Sequence, residues 1–313
     1  MSYKDFLAKI SRRIFGNEIE TYGFNEIIRK YSGYPNYLPL PVNVYHGWYF
    51  GPLRQSDINS DKSLLLTFNK RQADEWREYS KPRVAVLGAP FVHYRHMMNI
   101  NKQKNASGTI AYPGHDATSI NFVFDQRKFC EELAALDKKF HPITVSVLEM
   151  DIVNGKSQMY EDYGFKTFCP GPRNSIRFCY MFYSELAKHR YSCGNHHGAN
   201  MFYSVEMGIP FFFIGEIGKG VFRHTGELSP RIRTPEQSDL VDQLKVLFSE
   251  PVDEVTPEQM NLIRSECGVE DCLTPRDLRK LLWRTLITKE VPKVLSRLAM
   301  WPISVLQRRV ANK

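Results

Sequence analysis

The chain has 313 residues and a mass of 36.4 kDa, too long for one small module and suited to one large or two modest domains. Its 42% hydrophobic and 24% charged residues are values of a globular protein with a real core, and they exclude disordered, collagenous and fibrous classes. The formal net charge is +8, and its placement along the chain says more than its size.

In chain order, residues 1–40 read as helical and then irregular, punctuated by Pro35, Pro39 and Pro41. A strand follows at Pro41–Trp48 and a second short apolar run at Ser63–Phe68. Gln72–Tyr79 reads as a helix, Arg83–Leu87 as a buried strand and Phe91–Asn99 as a helix. The polar stretch 101–107 reads as a link between two lobes. The second half alternates more cleanly. Strands are expected at Thr109–Tyr112, Ile143–Glu149, Lys166–Cys169, Tyr191–Cys193 and Phe211–Ile214. Helices are expected at Gln126–Lys139, Gln158–Tyr163, Ile176–Lys188, Gly198–Met207 and 235–249. Strands separated by helices of this length predict mainly parallel sheets covered on both faces, which also explains their continuous apolar runs. The expected division is an N-terminal lobe at 1–107, a C-terminal lobe at 108–250 and a helical basic tail at 251–313.

The tail carries the charge. Between Pro275 and Lys313 stand ten basic residues against Asp277 and Glu290, a local excess of +8, while the rest of the chain balances at 32 basic and 32 acidic residues. Val291, Val294, Leu295, Leu298 and Trp301 recur at helical spacing beside those charges. That pattern predicts an amphipathic segment at an anionic membrane surface or a C-terminal helix with a solvated basic face, ahead of a nucleic-acid binder. No stretch of about 18 apolar residues suggests a spanning helix, and the N-terminus lacks a long apolar signal core. The six cysteines form no C-x-x-C pair and read as reduced core fillers, so a cytoplasmic protein, peripheral on the membrane's inner face, is expected.

In a parallel α/β sheet, ligands bind outside the carboxyl ends of the strands. That rule gathers the loops Pro113–Asp116, Glu149–Asp151, Pro170–Asn174 and Gly194–Asn200 in one cleft. The most informative stretch is Tyr191–Gly215, where a strand ends in Asn195-His196-His197-Gly198, a helix runs to Gly208, and Pro210 leads into the next strand. Free amides and the dipole at such a helix start suit a phosphate.

The spacing Asn195, Gly198, Tyr203, Gly208, Pro210 resembles the nucleotide-binding lobe of GT-B-type glycosyltransferases from bacterial capsule and lipopolysaccharide loci, over about residues 108–250. Many retaining members carry a ribose-binding Glu five residues before the Gly-x-Pro step. Here Tyr203 stands at that position, and Glu206 is displaced by nearly one turn.

The resemblance implies a GT-B-like α/β fold of two Rossmann-like lobes. It also implies a metal-independent glycosyltransferase that takes a nucleotide-sugar co-substrate, no further cofactor, and a glycan or lipid-linked acceptor in surface polysaccharide biosynthesis. Donor contacts are expected from Arg173, Asn195, His196, His197, Gly198, Ala199, Asn200, Tyr203 and Glu206. For Asn195 a helix cap, and for Glu206 a structural role, are the alternatives. The acceptor base is expected from His46, His115 or Asp116, with Asp57 a weaker choice. His141-Pro142 reads as a helix-to-strand turn. The histidines match no zinc signature with Cys193. A sugar-nucleotide epimerase and a noncatalytic assembly protein of the same fold are the competing readings.

Overall fold

A computed structural model describes residues 21–44, 47, 48, 50, 63–78, 83–116, 120–228 and 239–296. Within them lies a two-lobe α/β fold with mainly parallel sheets, as the alternation of elements predicts. His46, Asp57 and the distal part of the basic tail lie outside the described residues.

The first lobe starts with helix α1 (Phe24–Ser32), whose Phe24, Ile27 and Ile28 form its buried stripe. Strand β1 (Asn43–Val44) is shorter than its sequence suggests. It pairs in parallel with β2 (Leu64–Thr67), which pairs in parallel with β3 (Arg83–Val86). All four residues of β2 are buried, as expected of a central strand covered on both faces. Helix α2 (Lys70–Glu78) links β2 to β3. Helix α3 (Pro90–Met97) follows β3, with Pro90 in its first turn, where a missing amide costs nothing.

The second lobe is a five-stranded parallel sheet of β4 (Thr109–Tyr112), β6 (Ile143–Ser146), β7 (Lys166–Phe168), β8 (Tyr191–Gly194) and β9 (Phe211–Phe213). Its spatial order is β7-β6-β4-β8-β9. Numbered within the lobe this order is 3-2-1-4-5, so the winding direction reverses between β4 and β8. Loops leaving those two strands diverge there and open a crevice. Helices α4 (Gln126–Ala134), α5 (Glu149–Val153), α6 (Lys156–Asp162), α7 (Ile176–Leu186) and α8 (Ala199–Glu206) make the crossovers.

Two features depart from the sequence reading. β5 (Ile120–Val123) and β10 (Lys219–Phe222) form an antiparallel ribbon beside the sheet, and α5 is an additional short helix. After α9 (Asp239–Leu247) the chain returns to the first lobe. Helix α10 (Pro257–Cys267) starts with a Thr256/Gln259 capping box and ends at Gly268. Gly268 has φ 63°, and a Cβ there would sit 2.0 Å from the Phe68 carbonyl oxygen, so glycine is required on both counts. The Ala89 amide donates to the Cys267 carbonyl, and the Leu273 amide donates to that of Val86. Helix α11 (Pro275–Thr285) packs on α1. The segment expected to be a helical tail from residue 251 thus packs into the body, α10 against α8 of the second lobe and α11 against α1 of the first.

The lobes share one continuous core. It joins Phe24, Leu64 and Phe91 of the first lobe to Phe182, Phe202 and Tyr203 of the second. Across the junction Trp48 stacks on Phe202 at 4.1 Å, and Phe91 stacks on Tyr203 at 4.7 Å. A second cluster fills the other face of the large sheet.

Candidate active site

A cavity of about 250 Å³ lies between the lobes, at the carboxyl ends of β4, β6, β7 and β8. His115, Leu148, Pro170 and the run His196–Asn200 line it from the second lobe, so three of the four predicted loops converge there, while Glu149–Asp151 opens α5 and does not line it. Trp48 and Phe91 close it from the first lobe.

Helix α8 aims its amino end into this cavity. Gly198 is its N-cap and offers no side chain to the first amides, so the donors at Ala199 and Asn200 face the space, with the positive end of the helix dipole behind them. A Cβ on Gly198 would lie 2.3 Å from His196 Nε2, so a side chain there has to displace that ring.

Three imidazoles gather around that helix start. The rings of His115 and His196 lie 5.9 Å apart, nearly perpendicular. His197 packs at 4.8 Å on Phe213. Burial, then the Arg173 charge, pushes His115 down to about 4. Burial, then repulsion by His115, pushes His196 down to about 3, against the pull of the Tyr112 carbonyl. Burial, then His196 and Lys245, brings His197 down to about 4. All three are therefore neutral at pH 7 and able to accept a proton. Nδ1 of His196 and Nε2 of His197 are buried and have no hydrogen-bond partner among the described residues. Buried polar atoms are mostly hydrogen-bonded, to protein or to ordered water.

Among the described residues the cavity lining holds no carboxylate; the charges of Arg173, Asp116 and Lys156 act on His115 and that of Lys245 on His197. The site is thus shaped and charged for an anion.

Three predicted residues sit elsewhere. Asp116 is 1% exposed and does not line the cavity. Its Oδ1 accepts from Lys156 Nζ at 2.6 Å and from the Phe122 amide at 2.8 Å, and its Oδ2 accepts from Asn154 Nδ2 at 2.7 Å. Burial raises its carboxyl, but these bonds hold it below the usual carboxylate range. The expectation of a base at Asp116 gives way to a knot that ties the β4 loop to the ribbon and to α6.

Asn195 is completely buried. Its Oδ1 accepts from the Gly114 amide at 2.7 Å and its Nδ2 donates to the Glu216 carbonyl at 3.3 Å, so it staples two loops behind the cavity rather than meeting a ligand or capping α8. Glu206 lies at the far end of α8 and takes a two-pronged pair with Arg95, at 2.8 and 2.5 Å, with His96 Nε2 at 3.1 Å. It joins α8 to α3 and is remote from the helix start.

Tyr203 lines the cavity as an aromatic floor, and Ala199 and Asn200 line it at the helix start. Arg173 acts from behind His115. The sequence reading missed Phe91 and Lys156. Phe91 is supplied by the other lobe. Lys156 has a local signal, since it opens a helix straight after Gly155 at a strand-end crossover.

No family model matches the chain, and no curated protein matches it. Among solved structures, it aligns with the crystal structure of UDP-GlcNAc 2-epimerase from Neisseria meningitidis bound to UDP-GlcNAc. The alignment has 11% identity and a TM-score of 0.39, over 92% of this chain and 84% of that one. It also aligns with the structure of a GtfA/B complex at 14% identity and a TM-score of 0.35, over 80% of this chain and about half, 52%, of that one. Both are distant likenesses, and what the site can do rests on its own geometry.

Proposed function

We propose that this chain is a sugar-nucleotide enzyme, and within that class a glycosyltransferase. It moves a sugar from a nucleotide-sugar donor to a glycan or lipid-linked acceptor, in bacterial surface polysaccharide biosynthesis. The observation that carries this reading is the uncapped start of α8. It points into an interlobe cavity at the sheet's reversal point, ringed by neutral imidazoles and with no carboxylate among its described lining residues.

In this reading the donor phosphate meets the amides of Ala199 and Asn200, and the Arg173 charge supports it as it departs. The acceptor hydroxyl gives its proton to the imidazole of His115, and its oxygen forms a bond to the anomeric carbon. The bond from that carbon to the phosphate oxygen breaks, leaving its electron pair on the nucleotide phosphate. The imidazole is unprotonated at pH 7, the form that takes up the acceptor proton. Asp116 is already engaged, which favours His115 among the described candidates. Tyr203 and Phe91 supply a flat apolar wall against which a sugar ring packs.

The test is thermal melting with CMP, CDP, UDP and GDP and their common sugars, followed by product analysis. A ligand that binds the folded state raises the transition by mass action. One nucleotide is expected to stabilise wild type and His115→Ala alike, with transfer lost in the variant. No stabilisation by any of them would refute the enzyme reading and favour a noncatalytic assembly role. Sugar inversion without transfer would point to the epimerase.

A further inference from the structure

Helix α11 does not stop at Thr285. It continues through a π-turn at Leu286–Glu290 and on through residues 291–296. Its inner side is anchored: Leu278, Leu282 and Leu286 are buried, and the Glu290 carboxylate accepts from the Ser63 amide at the entry to β2. On its outer side the Trp283 ring packs edge-on against Tyr34 at 5.6 Å and the flanking side chains are exposed. Arg276, Arg279, Lys280, Trp283, Arg284 and Ile287 are exposed at spacings of three and four, so they share one face. Trp283 is 38% exposed, Ile287 59% and, past the π-turn, Leu295 60%.

This face is strongly and singly charged. Of the two acids in the segment, Asp277 pairs with Lys280 and Glu290 is turned inward beside Lys293. Among the described residues no carboxylate pairs with Arg276, Arg279, Arg284 or Lys289. The chain that follows adds Arg297, Arg308, Arg309 and Lys313 and no acid. Neither that segment nor the same face of a second copy is complementary to it, since both are basic. The exposed aliphatic side chains Ile287 and Leu295 gain nothing from a nucleic-acid backbone. In a lipid headgroup layer they leave water, while an interfacial tryptophan and the surrounding Arg and Lys side chains find their preferred depth.

We propose that the outer face of this helix docks the first lobe on an anionic lipid surface. Trp283, Ile287 and Leu295 seat at the headgroup boundary, and Arg276, Arg279, Lys280 and Arg284 lie on lipid phosphates. The contact needs no catalysis and stands apart from the interlobe cavity.

The experiment is co-sedimentation of the full chain with neutral phosphatidylcholine vesicles and with vesicles that also contain phosphatidylglycerol. Binding is expected to the second only, and to be lost at high salt. Each basic side chain at an anionic surface is worth roughly fivefold in partition, so Arg276→Gln/Lys280→Gln/Arg284→Gln lowers binding roughly a hundredfold. Ile287→Ser/Leu295→Ser lowers it about tenfold at unchanged salt dependence. Both variants alter exposed side chains and keep the wild-type melting transition, which excludes misfolding.

Equal binding to neutral vesicles, or wild-type binding by the charge variant, overturns the proposal. So does binding that survives both variants but disappears on truncation after Ser296, which would assign it to the terminal segment. Tighter capture of RNA or duplex DNA, unaffected by Ile287→Ser/Leu295→Ser, would identify a nucleic-acid face. A dimer that both variants dissolve would identify a second copy. Failure of nucleotide binding leaves this test untouched, and failure here leaves the cavity's reading untouched.

Discussion

Gly198→Ala isolates the contact on which the candidate site is built. Gly198 has φ −97° and ψ 165°, a conformation open to any residue, so an added methyl brings no backbone strain. Beyond the capping preference of Gly over Ala its cost is steric: the new carbon would stand 2.3 Å from Nε2 and 2.7 Å from Cδ2 of His196. Forcing one extra methyl into such a contact costs about 1–3 kcal/mol. Removing the ring removes the collision. In a His196→Ala background the steric part of the Gly198→Ala cost should therefore disappear, leaving only the capping preference that is common to both backgrounds. The coupling between the two positions is then about 1–3 kcal/mol, readable from urea unfolding of the four proteins at a common slope. An equal cost of Gly198→Ala in both backgrounds would refute the placement of the imidazole over the helix start. Wild-type stability in both would refute it equally.

Three further outcomes follow from the same structure. Acidification should destabilise the protein from about pH 6.5 down to about pH 4. There the unfolded chain protonates imidazoles that the folded state holds neutral at His115, His196 and His197, at up to about 1.4 kcal/mol per pH unit for each. Urea midpoints that fall with pH, and fall less in His196→Phe, check this; a flat profile counts against it. Glu206→Ala strands the buried Arg95 guanidinium and should cost about 3–5 kcal/mol by chemical denaturation, against less than 1 if the pair is solvated. Burial raises the Glu206 carboxyl, but bonds from His96 and Arg95 hold it below its ordinary value, so its stabilisation is present above about pH 4.3 and fades as pH drops through the lower folded value. Asn195→Ala should cost about 1–3 kcal/mol by leaving the buried Gly114 amide unpaired, a loss absent if Asn195 serves only a ligand.

The strands of the large sheet were legible because most are short buried runs, the edge strand β7 with its exposed Lys166 being the exception. Sheets buried on both faces demand such runs, and Thr109–Tyr112 has all four residues buried. The β5–β10 ribbon was not. Its strands are four residues each, and they pair across about a hundred residues of chain, a distance at which no local pattern operates. The packing of α10 on α8 and of α11 on α1 was hidden for the same reason, since an apolar stripe says that a helix is covered but not by what.

The site divides along similar lines. The strand-end rule placed His115 and His196–Asn200 correctly at one cavity, because parallel topology alone puts those loops together. The rule gives a loop's position and is silent on a side chain's partner. Asp116 and Asn195 carry the same chemistry whether they meet a ligand or a neighbouring amide, and only tertiary packing chose the amide.

Packing also defines how the site is held. Helix α8 spans eight residues, about 12 Å, from the cavity to the Arg95–Glu206 pair. It is fixed at both ends and along its side. Phe202 and Tyr203 stack on Trp48 and Phe91 of the other lobe, and Glu206 is gripped from α3. Lobes joined by small polar interfaces move freely, but this junction is aromatic and continuous with the core. The helix start therefore cannot swing away from the His115 loop without unstacking two ring pairs and separating a buried ion pair. That rigidity is what electrostatic stabilisation of a phosphate requires, because donors already fixed in place cost no reorganisation when charge develops against them.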